Sequence, residues 1–219
     1  MGRAGDGYLR REQMRVAVVG AGRVGGGLAA TWVRAGHDVT LSGSRDPSAL
    51  ERKAADIGTR SVAVPEAAAG ADAVVLAVPA SIAKQSVCDA GDLSGKVLID
   101  CTNDVGAVPG SPPLAVQLAE VAAGAHVVKA FNTVFAALYD DIAAAPGRPD
   151  LLFCGDDDAA KELAATLISD AGYEPIDAGG LDAAGELEDF ARVVIRLCYG
   201  RGLGPFVYRL RHPREIAAE

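Results

Sequence analysis

The run RVAVV at 15–19 passes straight into Gly20-Ala21-Gly22-Arg23-Val24-Gly25, and a helical stretch, GLAATWVRAG, follows at 27–36. A strand that turns on glycines directly into a helix is the opening half of a βαβ unit. It narrows the architectures open to the chain more than any other feature. The alternation continues, with short β-rich apolar runs at 38–42, 71–78, 96–100, 126–130 and 151–154 and alanine-rich helical segments between them. Continuous apolar strands interleaved with helices predict an α/β fold, a doubly wound Rossmann-type parallel sheet covered on both faces. From Asp182 the pattern predicts one long helix, with Leu187, Phe190, Val194 and Leu197 on one face in need of a partner surface.

The glycines have separable jobs. Gly20 permits the tight turn, Gly22 removes the side chain that blocks a pyrophosphate, and Gly25 lets the helix pack closely on the strand. Ala21 completes the turn, and the backbone N–H groups of Arg23 and Val24 then face phosphate from a helix N-terminus. The second strand ends Ser42-Gly43-Ser44-Arg45, without the Asp or Glu that usually accepts from the ribose 2′-OH of NAD. A hydroxyl at Ser44 and a guanidinium at Arg45 suit a 2′-phosphate instead, so the expected cofactor is NADP(H).

In an open parallel sheet the ligand lies beyond the carboxyl ends of the strands. Those ends read Ala77-Val78-Pro79, Asp100-Cys101-Thr102-Asn103 and Lys129-Ala130-Phe131-Asn132-Thr133. Val78 and Pro79 can wall the ribose and nicotinamide. Asn103 and Asn132 either bind carboxamide or ring polar atoms or serve as caps and turns. His126 begins its strand, His37 precedes the second one and His212 lies in the tail, so no histidine is placed to act as a general acid. The GDDD run at 155–158 reads as a helix cap rather than a metal site. The four cysteines are widely spaced without a CxxC, and Cys101 reads as packing. A net charge of −8 argues against nucleic-acid or anionic-membrane partners. With no signal-peptide pattern and no long apolar run, a cytoplasmic location is expected.

The segments VAVVGAGRVGGGLA, GSR, VVKAFNTV and CGDDDAAKELAATLISDAGYEPIDAGGLDAAGELEDF together resemble the NADPH-dependent coenzyme F420 reductase family, and also the oxidoreductase domain of the Steap metalloreductases. The resemblance runs from about Met14 to Leu210. It implies an oxidoreductase in which hydride passes directly between NADPH and a deazaflavin, coenzyme F420, or a flavin. The acceptor ring then lies against the nicotinamide, near Pro79 and the 178–190 region, with Phe131, Asp177, Gly179 and Leu181 expected to line it. The sequence departs from the deazaflavin enzymes in lacking a basic residue soon after the Ser44-Arg45 pair, Lys53 lying a turn farther on.

The expected organisation is a disordered leader over 1–13, with Met14 as an alternative start, an NADP-binding Rossmann domain over 14–145, and a β-α-β plus helix extension over 146–219. The extension is expected to bind the acceptor and to make dimer contacts. Arginines from Arg192 to Arg214 form either a site for an anionic group or surface pairs on a helix face. Exposed Phe206, Val207 and Tyr208 predict a homodimer. Other functions open at this level are reduction of a flavin or of a small C=N or C=C substrate, and non-catalytic sensing of NADP.

Overall fold

The computed structural model describes residues 13–108 and 110–212. Apart from Gln13, the expected leader lies outside the described residues. The elements run β1 (Arg15–Val19), α1 (Arg23–Ala35), β2 (Asp38–Ser42), α2 (Pro47–Ile57), β3 (Arg60–Ser61), α3 (Val64–Gly70), β4 (Ala73–Leu76) and α4 (Ala80–Ala90). They continue with β5 (Val97–Asp100), α5 (Leu114–Val121), β6 (His126–Lys129), α6 (Tyr139–Ala144), β7 (Asp150–Gly155), α7 (Asp158–Asp170), β8 (Glu174–Asp177) and α8 (Ala184–Ile195).

Among the described residues these strands form one sheet in the order β3-β2-β1-β4-β5-β6-β7-β8. The first six are parallel in the order of a dinucleotide-binding fold, and the order reverses between β1 and β4. Alternation along each strand feeds two cores. Val16 and Val18 join Leu28, Trp32 and Leu167 on the face covered by α1 and α7. Ala17 and Val19 join Val87, Leu118 and Leu187 on the face covered by α4, α5 and α8. Trp32 is fully buried, and its indole N–H still finds a partner, donating to the Leu167 carbonyl at 2.9 Å.

The last two strands decide where the extension points. β7 pairs antiparallel with β6, Val128 opposite Gly155 and Lys129 opposite Cys154, and β8 lies parallel to β7. The start of β7 therefore stands at the crevice end of the sheet, and the chain runs on from it toward the opposite end. There Asp157 caps α7, its carboxylate accepting from the Ala160 N–H at 2.8 Å, as the acidic run predicts. The long helix from Asp182 is a 3₁₀ turn at Leu181–Ala183, α8, and a π turn at Arg196–Gly200. The wider turn advances the phase, so Cys198 is buried where the helical spacing predicts Leu197.

Candidate active site

At the reversal between β1 and β4 the backbone comes too close for side chains. Gly20 has φ +112°, and a Cβ there would overlap the Ala77 carbonyl of the neighbouring strand end. A Cβ on Gly25 would overlap the Gly20 carbonyl. Gly22 differs, because a Cβ on it meets nothing within 4 Å. It is the N-cap of α1, and no side chain caps that helix. Donors at the start of α1 thus face open space, the arrangement that accepts an anion. Ala21, Arg23 and Val24 stand around this opening, Arg23 exposed and the other two half-buried.

The end of β2 borders a cleft of about 350 Å³ lined by Ser42, Gly43, Ser44, Leu50, Glu51 and Val62 among others. The nearest acid in sequence, Asp46, is committed to capping α2, accepting from the Ala49 N–H at 3.0 Å. The Ser44 hydroxyl closes the turn onto Asp46 at 3.1 Å. Arg45 is exposed and makes no hydrogen bond or ion pair among the described residues, which leaves its donors available.

At the ends of β5 and β6 most polar groups pair with one another, while Thr102 Oγ1, Asn132 Oδ1 and Glu188 Oε1 are buried without a hydrogen bond. The Asn103 amide donates to the Asn132 carbonyl at 2.7 Å, and the Asn132 amide donates to Asn103 Oδ1 and to the Leu187 carbonyl, both at 3.1 Å. Neither asparagine caps a helix. Together they clasp two strand ends and tie them to α8. Beneath them lies a group the sequence reading passed over as mere strand ends: Lys129, 0% exposed, with its Nζ 2.8 Å from Asp100 Oδ2, 2.8 Å from the Thr102 carbonyl and 3.0 Å from Glu188 Oε1. The ammonium donates to Asp100 and to the Thr102 carbonyl and forms an ion pair with Glu188. The only forecast available was a lysine inside an apolar strand, because a buried lysine needs a partner. Burial pushes the neighbouring Cys101 thiol well above its ordinary range, consistent with a packing role.

Phe131 does not line a cleft. It is 1% exposed, its ring meets Trp32 edge-on at 5.7 Å, and its backbone has φ +62°. A phenylalanine in the left-handed region is strained, and the strain lies beside the asparagine clasp. The positive φ turns the side chain into the core and sends the chain on to Asn132.

Asp177, Gly179 and Leu181 are likewise not brought together with Pro79. The Gly155 N–H donates to the Gly179 carbonyl, and Leu181 N–H donates to Asp156 at 2.7 Å. Gly155 stands opposite Val128, and the chain beyond it reaches the start of β6, where His126 Nδ1 lies 3.4 Å from Asp157. Asp177 pairs with Lys161 at 3.1 Å, and Leu181 is buried in the α5 face. β8 is the edge strand, with β5, β6 and β7 between it and β4, so all three stand across the sheet from Pro79. Phe206 and Tyr208 also differ from expectation, being half-buried against Phe135 and Phe190 of the same chain.

The chain is similar to known proteins along most of its length. Residues 15–104 match the family model described as NADP oxidoreductase coenzyme F420-dependent. The chain is 32% identical over 208 residues to the F420-dependent NADP reductase of Methanothermobacter thermautotrophicus, covering 84% of this chain and 89% of that one. It is 29% identical to metalloreductase STEAP3 of Rattus norvegicus over 81% of this chain and 36% of that protein. A solved structure from Arthrobacter sp. FB24, provisionally named an F420-dependent NADP reductase, superposes with a TM-score of 0.80 at 30% identity, covering 91% of this chain and all of that one.

Proposed function

The chain belongs to the F420-dependent NADP reductase family and is an NADP-dependent oxidoreductase, and from that premise we propose that it passes hydride directly between NADPH and the deazaflavin of coenzyme F420. The observation that carries the acceptor is the span of the match, which reaches 89% of an F420-dependent relative and so extends well beyond the nucleotide-binding strands. In this reading the opening at Gly20, Gly22 and Gly25, with the N–H groups of Arg23 and Val24, holds the pyrophosphate. Ser44 and Arg45 take the 2′-phosphate, and Ala77, Val78 and Pro79 wall the nicotinamide ribose.

The nicotinamide supplies the hydride-carrying carbon when bound. The chain's own task is then to hold two flat rings in contact and to keep water out. No general acid is required of it, in keeping with the positions of its histidines. His126 stands at the far end of the sheet beside Asp157, and His37 is buried 3.0 Å from Asp170. With 177–181 beside the edge strand, across β5, β6 and β7 from Pro79, the acceptor ring is assigned to the crevice side of Pro79, toward the 104–108 loop and the turn that follows Asn132.

The test is anaerobic NADPH oxidation with F420, FMN, FAD and a cyclic imine side by side. Turnover with F420 far above the others is expected. Preference for a flavin or the imine would overturn the acceptor, and binding without any turnover would make the protein a sensor.

The same reading includes a homodimer. Val193, Leu197, Tyr199, Leu203, Val207 and Leu210 are exposed around the end of α8 and the segment after it, a patch that suits a two-fold interface. Light scattering at micromolar concentration is expected to give twice the 22.3 kDa chain mass, and a monomer would sink the idea.

A further inference from the structure

The sequence runs three glycines together, Gly25-Gly26-Gly27, where a dinucleotide loop needs one. Gly27 faces the Tyr139 ring, and a Cβ on Gly26 would overlap Cε and Nζ of Lys53. Lys53 reaches from α2, between the buried Leu50 and Ala54, to the loop. Its Nζ donates to the Ala21 carbonyl at 2.6 Å and to the Gly22 carbonyl at 3.0 Å. Each of those carbonyls belongs to a peptide whose N–H is carried by the next residue, Gly22 or Arg23. In a planar trans peptide the C=O and N–H point in opposite directions. Drawing the two carbonyls toward the ammonium therefore aims the N–H groups of Gly22 and Arg23 away from it.

We propose that Lys53 is a positioning residue for the dinucleotide: it braces the backbone at 21–23 so that the N–H groups of Gly22 and Arg23 face the pyrophosphate, and Gly26 is the notch through which its side chain passes. This rests on reading the loop as the NADP site. It assigns Lys53 a task different from that of Arg45. The brace acts on the pyrophosphate, which NADPH and NADH share, whereas Arg45 acts on the 2′-phosphate that only NADPH carries.

Two variants separate the brace from a general loss of structure. Lys53→Met removes brace and charge together. Gly26→Ala keeps the charge and displaces the ammonium, at little cost to folding because the atoms it meets are the far end of a flexible side chain. Equilibrium binding of NADPH and of NADH is measured for each variant and for the double variant, alongside the Tm of the ligand-free protein.

Lys53→Met is expected to weaken both nucleotides equally, about three- to tenfold, the worth of a lost hydrogen bond. Gly26→Ala is expected to weaken both as well, yet to raise Tm, since alanine is the better helix residue. In the double variant Gly26→Ala should raise Tm with no further loss of binding, because there is no brace left to displace. Loss of NADPH binding alone in Lys53→Met would make Lys53 a reader of the 2′-phosphate and overturn the proposal. So would normal binding by Gly26→Ala. If the parent protein binds neither nucleotide, the reading of the loop itself fails, a result distinct from parent binding with indifferent variants.

Discussion

At the carboxyl end of β1 the chain leaves helix donors without side-chain caps, whereas at the ends of β5 and β6 it ties a buried lysine and two asparagines to neighbouring strands and to α8, with Thr102 Oγ1, Asn132 Oδ1 and Glu188 Oε1 left without a hydrogen bond. The glycine loop is bare and open. The Lys129 cluster is closed, linking Asp100, Thr102 and Glu188, and through the asparagine clasp it fastens α8 to the sheet. Burial alone lowers the lysine's proton affinity, and the two adjoining carboxylates more than restore it, holding the ammonium above its ordinary pKa. Unsatisfied donors are tolerable where solvent or a ligand reaches them, and costly where neither does. One region is therefore prepared for a ligand, and the other is a wall against which the ligand's far end can be placed.

The sharpest way to break this contrast is to remove the buried cation. Lys129→Met leaves two buried carboxylates without a cation between them and is expected to cost about 3–5 kcal/mol, read from chemical denaturation. A loss below about 1 kcal/mol would mean that the cluster is wet and that the wall is no wall. The open region is broken next by Gly25→Ala, whose Cβ overlaps the Gly20 carbonyl and forces the loop to move. NADPH affinity by calorimetry should fall on the order of a hundredfold, about 2.7 kcal/mol. Unchanged affinity would place the pyrophosphate elsewhere.

Arg45→Ala is smaller and more selective. A charged hydrogen bond contributes about 1.5–3 kcal/mol, so NADPH should bind about tenfold to a hundredfold more weakly with NADH little affected. Equal losses for both would show that Arg45 does not read the 2′-phosphate. Gly179→Ala is the smallest. Its φ of +109° strains any side chain, at about 1–2 kcal/mol of stability, while turnover with F420 should stay within about twofold because the residue stands beside the edge strand, across β5, β6 and β7 from Pro79. A tenfold fall in kcat in folded protein would return the acceptor to 177–181.

Much of the sheet could be read in advance because β1, β4 and β5 are buried on both faces and appear as unbroken apolar runs. β3 spans only Arg60–Ser61, too short for any periodicity, and β8, Glu-Pro-Ile-Asp, carries two acids and a proline that only an edge strand tolerates. The positions of Asp177, Gly179 and Leu181 were misjudged for a different reason. Apolar patterning reports which residues are buried and is blind to the place a strand takes in the sheet, here the edge beyond β7.

The sequence by itself determined the strand–glycine–helix unit, the two-faced burial of the strands and the absence of an acid at the end of β2, because each depends on one residue's backbone freedom, size or charge. Tertiary structure alone decided that β7 turns back against β6, that Phe131 points into the core, and that Lys53 meets the carbonyls at 21 and 22. Those outcomes depend on which surfaces meet across long separations in the chain, and a hydrogen bond or a packed ring exists only once both of its partners have been brought to the same place.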